Sequence, residues 1–408
     1  MSSGLCVLVL GYVVRYPLGG MIWSNLHYLM GLQRLGHQVW YLEDSDDYAS
    51  CYDPLRFVTD TNPTYGLEFA RKVFESIGFR DRWAFHDAHT RSWLGPVGHR
   101  VLELCRDADI VLNLACSNPL RPWLEDVPVR AYVDEDPGFT QVRRLTDPVL
   151  RERADGHNIF LSFAENIERG TARLPVDGIR WRATRQPVVT EVIRTTPGPS
   201  DGKLTTVMQW KSYEPVEYNG VKYGVKAESF PPFMSLPQRL GRIFELALGS
   251  PEAPGTMMRQ KGWLLRDPIE ASINPWTYEA FIRESKAEFG IAKQGYVISH
   301  SGWFSERSCC YLALGRPVLA QDTGFSEWLE TGEGVLPFST PDDVAAAIDE
   351  LDTRYQAHCR AARDLVEEYF NYRKVLPRLI EESLNPGRLP EAILGYQREK
   401  SRPAQAKL

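Results

Sequence analysis

This chain of 408 residues has no long apolar run: Leu5–Leu10 lasts six residues before Gly11, and no later stretch approaches the about 18 a membrane span needs. Its first residues also lack a positive flank, so neither a secretory leader nor stable membrane insertion is expected, and the cytoplasm is the expected location. Seven cysteines, at 6, 51, 105, 116, 309, 310 and 359, form no C-x-x-C pair. That argues against a zinc site or a disulfide framework. Most lie inside apolar patterns, as small buried side chains do. An excess of positive charge is missing too. Forty-seven Lys and Arg stand against 53 Asp and Glu, a net charge of −6, which offers nucleic acid no bulk attraction. No nucleic-acid partner is expected, although a local basic pocket stays open. Nor is there a G-x-G-x-x-G fingerprint. Gly19-Gly20 alone does not shape the pyrophosphate turn of a dinucleotide fold, even with Glu43 and Asp44 closing the next strand where a ribose-binding acid would sit.

What is present is a globular composition, 43% hydrophobic and 25% charged, in a chain long enough for two or three domains. Strands are expected at 5–10, 39–42, 110–115, 127–133 and 158–163, alternating with helices at 21–35, 67–77 and 97–108, which is the pattern of a helix-covered parallel sheet. The breaker cluster Thr195-Thr-Pro-Gly-Pro-Ser-Asp-Gly-Lys203 interrupts it. Beyond lie an expected strand at 204–210, a hairpin turn at Tyr218-Asn-Gly-Val-Lys222, helices at 237–248, 276–289 and 306–314, strands at 295–299 and 317–321, and a helical stretch over 341–382. The implied fold class is α/β, with two Rossmann-like doubly wound domains facing a cleft where ligands bind. Residues 1–195 form the N-terminal domain, 204–385 the C-terminal domain and 386–408 a frayed tail.

The segment from Ser285 to Gly324 carries the densest chemistry. Ser299, Ser301 and Gly302 precede a helix start marked by Ser305, with Trp303 and Phe304 in the same turn and Lys293 and Arg307 supplying charge. Amides, hydroxyls and cations at one helix N-terminus suit a pyrophosphate. Glu306, in the first turn, suits ribose hydroxyls. An ordinary capped helix explains the same serines. In the first half, Asp134-Glu-Asp136 ends a strand before a Pro-Gly turn. Strand-end carboxylates at a cleft serve as general bases, and D-x-D also matches metal-holding pairs; loop architecture is the third reading. His157, Glu165 and Asn166 compete for the acceptor-side role. The loop Gly11 to Gly20, with Arg15, Gly19 and Gly20, invites an anion or a sugar hydroxyl, or needs its glycines only for a tight turn. His27 is expected to be buried and structural.

The run Tyr311-Leu-Ala-Leu-Gly-Arg-Pro-Val-Leu-Ala-Gln-Asp-Thr-Gly-Phe-Ser-Glu-Trp-Leu329, with the later Gly-Glu-Gly-Val-Leu-Pro-Phe338, resembles the donor domain of GT-B glycosyltransferases, in the group-1 and CgeB-like branches. Gly19-Gly20, Leu35-Gly36-His37 and Val39 resemble the family's opening. The resemblance implies a nucleotide diphosphate sugar, of UDP or dTDP type, as co-substrate with no further cofactor. It carries over to Ser301, Gly302, Ser305, Glu306 and Arg307 for diphosphate and ribose, and to Asp322, Thr323 and Gly324 near the sugar. One departure stands out. Where the group-1 pattern has two glutamates eight apart, this chain has Gly302 and Cys310.

The expected function is therefore metal-independent transfer of a sugar from a nucleotide sugar to a small-molecule acceptor, with Asp136 or Asp134 assisting the acceptor and Glu306 at the donor. A sugar-nucleotide epimerase of the same fold and a non-catalytic GT-B-like partner protein remain alternatives. A homodimer stays open.

Overall fold

Cys6–Leu10 pairs in parallel with Gln38–Asp44 on one side and Ile110–Leu114 on the other, and this three-strand centre organises the first sheet. A computed structural model describes residues 4–385; the tail expected over 386–408 lies outside the described residues. The sheet runs Arg182–Ala183, Ile159–Ser162, Val129–Asp134, Ile110–Leu114, Cys6–Leu10, Gln38–Asp44, Trp83–Asp87 and Ser92–Leu94. Every pair is parallel except the last. Val7, Leu8 and Val9 are wholly buried, as a strand covered by helices on both faces requires.

The second sheet is parallel throughout, in the order Leu264–Arg266, Phe244–Gly249, Lys203–Gln209, Ser285–Gly290, Val318–Gln321, Val335–Phe338. The hairpin expected at 218–222 forms, with Asn219 and Gly220 both at positive φ. Three expectations fail here. The helix expected over 237–248 stops at Leu240, and Phe244–Gly249 is a strand. The helix expected over 276–289 ends at Arg283, and Ser285–Gly290 is the strand beside Lys203–Gln209. The strand expected at 295–299 is instead the helix Gln294–Ser299. The sheet edge that faces the cleft is therefore Gly290, not Ser299.

The last helix, Tyr372–Leu384, returns to the first domain. It packs on Gly19–Arg34 with Leu376 and Leu379 buried, and its Arg378 and Glu382 pair with Glu168 and Arg182. One apolar cluster spans both halves, joining Ile22, Leu26 and Leu29 to Tyr278, Phe281, Ile282 and Leu376.

Candidate active site

The C-terminal ends of Ser285–Gly290 and Val318–Gln321 flank the start of the helix Glu306–Ala313. Ser305 caps that helix, its Oγ accepting the Arg307 N–H at 3.2 Å. Gly290, Ala292, Ser305, Arg307, Ser308 and Gln321 line a crevice there of about 10 Å³, room for a single water. Arg307 does not project freely into it. Its Nε donates to Oε1 of Glu288 at 2.5 Å and its Nη1 to the Val207 carbonyl at 3.3 Å, while Glu288 is fully buried and its Oε2 has no partner. Beside them lies Lys226, 8% exposed at the start of the helix Lys226–Ser229. Its ammonium makes no hydrogen bond or ion pair among the described residues. Burial, and then the charges of Arg307 and Lys293, hold its pKa well below the ordinary lysine value. Three cations thus converge, of which Arg307 is paired with Glu288 and Lys293 with Asp136, while Lys226 has no anion of its own among the described residues.

The three acids after Val129–Asp134 have separate fates. Asp134 is enclosed in its own domain, accepting from Thr140 Oγ1 at 2.6 Å, Ser162 Oγ at 2.7 Å, Gln141 Nε2 at 3.2 Å and the Asp136 N–H at 2.9 Å. It holds the strand end and has no lone pair left for an acceptor. Asp136 crosses the domain boundary. Its Oδ1 accepts from Lys293 Nζ at 2.9 Å and from the Tyr296 hydroxyl, its Oδ2 from the Tyr213 hydroxyl at 2.6 Å and Arg143 Nη1 at 3.4 Å. Burial opposes the ionised form, but Lys293 and Arg143 outweigh it and hold the carboxyl below the usual range. A depressed pKa and occupied oxygens make Asp136 a poor base as it stands. The two carboxylates of the D-x-D also face different partners.

Glu135, between them, went unnoticed in the sequence. Its Oε2 accepts from the Tyr12 hydroxyl at 3.2 Å, and its buried Oε1 has no partner. Burial, then the facing charge of Glu306, push its pKa up to about 8. Its carbonyl accepts from Trp303 Nε1 at 3.2 Å, and Trp303 lies against Tyr296 with ring centroids 4.2 Å apart and planes tilted by 32°. Glu135 and Glu306 therefore face each other from opposite domains.

Most of the turn expected to cradle phosphates is consumed by packing. Gly302, at φ +76°, donates its N–H to the Thr323 carbonyl at 2.9 Å, and a Cβ there would meet the Asn166 side chain at 2.8 Å. Asn166 of the first domain also donates to the His300 carbonyl at 3.1 Å and the Gly324 carbonyl at 3.0 Å, and its N–H bonds the Ser301 carbonyl. Ser299 bonds the carbonyl of Tyr296, Thr323 that of Trp303, and Asp322 caps the next turn through Ser326 and Gly324. Phe304 lies in the core against Phe325 and Phe370. Ser305, Glu306, Arg307 and Lys293 stay at the cleft; Ser299, Ser301, Gly302 and Gly324 join the domains instead, and Thr323 bonds within its own domain.

The acceptor-side residues separate likewise. The amides of Val14 and Arg15 are taken by the carboxylate of Glu43, at 2.8 and 2.7 Å, so this loop carries its own anion. Arg15 is 2% exposed and pairs with Glu43 and Asp46. A Cβ on Gly19 would stand 2.2 Å from the Asn274 carbonyl oxygen, and one on Gly20 3.3 Å from the Tyr278 ring, so the glycine pair serves a close domain contact. His157 is buried between Asn113 and the Ala154 carbonyl with its pKa lowered by burial to about 4, and Glu165 is tied to Arg185 at 2.5 Å. His27 is buried, as expected, and accepts from the Val189 N–H at 3.1 Å.

With that geometry in view, the likenesses of the chain carry meaning. Residues 241–381 match the family model described as Glycosyl transferase-like. An alpha-glucosyltransferase in complex with UDP-glucose and DNA containing an abasic site superposes with a TM-score of 0.56, at 10% identity over 92% of this chain and 98% of that one. This chain has the GT-B fold. The protein Alr3699/HepE of Anabaena, in complex with UDP and glucose, superposes on this GT-B chain with a TM-score of 0.51, at 11% identity over 92% of this chain and 98% of its own. No curated protein matches the sequence. In the GT-B frame the crevice at Glu306 and the acids at Asp134-Glu-Asp136 belong to opposite domains of one cleft. Among the described residues, no helix is long and apolar enough to cross a membrane.

Proposed function

We propose that this protein moves a sugar from a nucleotide diphosphate sugar to a hydroxyl of a small-molecule acceptor. The observation that carries the reading is Lys226: a lysine only 8% exposed, whose ammonium has no hydrogen bond or ion pair among the described residues, stands beside Arg307 and Lys293 where an added anion has a partner. A diphosphate supplies that anion. Solved structures of the same fold contain UDP, which favours a UDP-type donor.

As the bond from the anomeric carbon to the diphosphate oxygen breaks, its electron pair stays on the diphosphate, where Lys226, Arg307 and the helix N-terminus at Glu306 stabilise it. The acceptor oxygen bonds the anomeric carbon, and its proton passes to Glu135. A carboxyl near pH 8 is matched to that task, whereas Asp136 is not. Charge neutralisation by three cations leaves no step that calls for a metal.

A small acceptor agrees with the net charge of −6, which provides no phosphate-backbone footing for DNA. A separate groove of about 520 Å³ lies between the domains, walled by Tyr65, Phe69, Ile273 and Trp276 with the charged Asp53, Arg56, Asp60, Glu68 and Lys72 at its rim; it shares no lining residue with the crevice at Arg307. Trp276 is 48% exposed, a free face for an apolar or sugar ring. Calorimetry with UDP, GDP, ADP and dTDP tests the donor side, with UDP expected to bind. Donor turnover that requires an added acceptor then separates transfer from epimerisation; turnover with no acceptor present contradicts transfer.

A further inference from the structure

Asp136 has a role different from the base its sequence position suggests. It is a first-domain carboxylate lodged among second-domain donors: Lys293 Nζ at 2.9 Å, the Tyr213 hydroxyl at 2.6 Å and the Tyr296 hydroxyl. Lys293 Nζ also bonds the Tyr213 oxygen at 2.6 Å and lies 4.4, 5.2 and 5.3 Å from the ring centres of Tyr213, Tyr296 and Phe139. The lysine is thus held in an aromatic cage with one anion at its mouth. That anion comes from the chain itself. Meanwhile Lys226 and Arg307 stand beside a crevice with room for one water, far less than a diphosphate fills.

We propose that Asp136 is a resident stand-in for a donor phosphate, occupying Lys293, Tyr213 and Tyr296 while the cleft is empty and yielding them when a nucleotide diphosphate arrives. The inference rests on the nucleotide-diphosphate reading above and adds the residue that sets donor affinity. Its physical basis is competition. Lys226, Lys293, Arg307 and Arg143 face Asp136, Glu288 and Glu306, so a diphosphate entering beside Asp136 adds negative charge to a cluster already nearly balanced. If the Asp136 loop withdraws, two phosphates replace one carboxylate and the crevice widens where they must sit. Tyr213 and Tyr296 are donors that serve either anion equally well.

Isothermal titration of UDP into the full-length chain tests this with wild type, Asp136→Asn and Asp136→Ala. Asp136→Asn removes the competing charge at constant size, and its UDP Kd is expected to fall about five- to tenfold. Asp136→Ala removes the same charge together with its hydrogen bonds, leaves Lys293, Tyr213 and Tyr296 to the ligand, and is expected to tighten UDP as well. Unchanged or weaker UDP binding by a folded Asp136→Asn chain overturns the proposal and leaves the nucleotide reading intact. Should that variant fail to fold, Asp136→Ala decides alone: tighter binding supports the proposal, and equal or weaker binding overturns it. If wild type and both variants bind none of UDP, GDP, ADP and dTDP, the nucleotide reading itself falls and the proposal with it.

Discussion

Lys226 costs the fold stability and is retained where a charge is useful. A buried unpaired ammonium is unfavourable, so Lys226→Met is expected to raise unfolding stability by about 1–3 kcal/mol while raising the donor KM tenfold or more. Thermal unfolding and donor kinetics on the same preparation check both signs together. Arg307→Ala is a less informative change, because it strands Glu288, whose carboxylate is fully buried. Glu135 gives a second residue-scale test with its pKa near 8. Its folded-state value lies above the unfolded one, so the folded chain holds a proton that the unfolded chain has released, and stability is lost as pH rises from about 4.5 to 8. Activity moves the opposite way, since a base must be deprotonated: turnover is expected to climb with pH up to about 8. Glu135→Gln is expected to flatten the stability slope and abolish that limb. A rate profile that keeps its limb in Glu135→Gln assigns the proton to another group.

The contact between helix Gly19–Arg34 and Asn274-Pro275 depends on the absence of a side chain at one position. Gly19→Ala places a Cβ 2.2 Å from a backbone oxygen that cannot rotate away, whereas Gly20→Ala crowds the Tyr278 side chain at 3.3 Å, a tight contact that the ring relieves by a small shift. Gly19→Ala is expected to destabilise by about 1–3 kcal/mol and Gly20→Ala by clearly less, measured by urea unfolding. At this scale the first domain was legible in the sequence because its strands are apolar runs of Val, Leu and Ile set off by Gly and polar turns. The second was less so. Ser285-Lys-Ala-Glu-Phe-Gly290 is built of helix formers and becomes a strand because Lys203–Gln209 and Val318–Gln321 flank it; Gln294–Ser299 contains β-branched residues and becomes a helix. Tertiary pairing overrode propensity in both. The error carried into the site: with the strand placed ten residues late, Ser299–Gly302 looked like a phosphate turn when it is a seam against Asn166. Lys226 gave no motif at all and Glu135 stood only as the unassigned middle of a D-x-D, since burial and a missing partner are not written in local sequence. Ser305, Glu306, Arg307 and Lys293 were legible because helix starts announce themselves by capping.

For the molecule as a whole, the chain does not stop at its second domain but crosses back to brace the first. Leu376 and Leu379 are essentially buried against helix Gly19–Arg34, and each such leucine is worth about 1.5–3 kcal/mol of burial. Ending the chain after Phe370 therefore removes a large part of a stability of about 5–15 kcal/mol, and is expected to give a first domain without a cooperative thermal transition. Retention of a single sharp transition would show the halves to be independent. The same crossing lets one cluster of cations from the second domain face acids from the first across a fixed distance. The most direct test of that arrangement is the electron density of UDP in crystals of the full-length protein. The expected result is a diphosphate within hydrogen-bonding distance of Lys226 and Arg307, at the start of helix Glu306–Ala313; density for UDP lodged away from both side chains contradicts it.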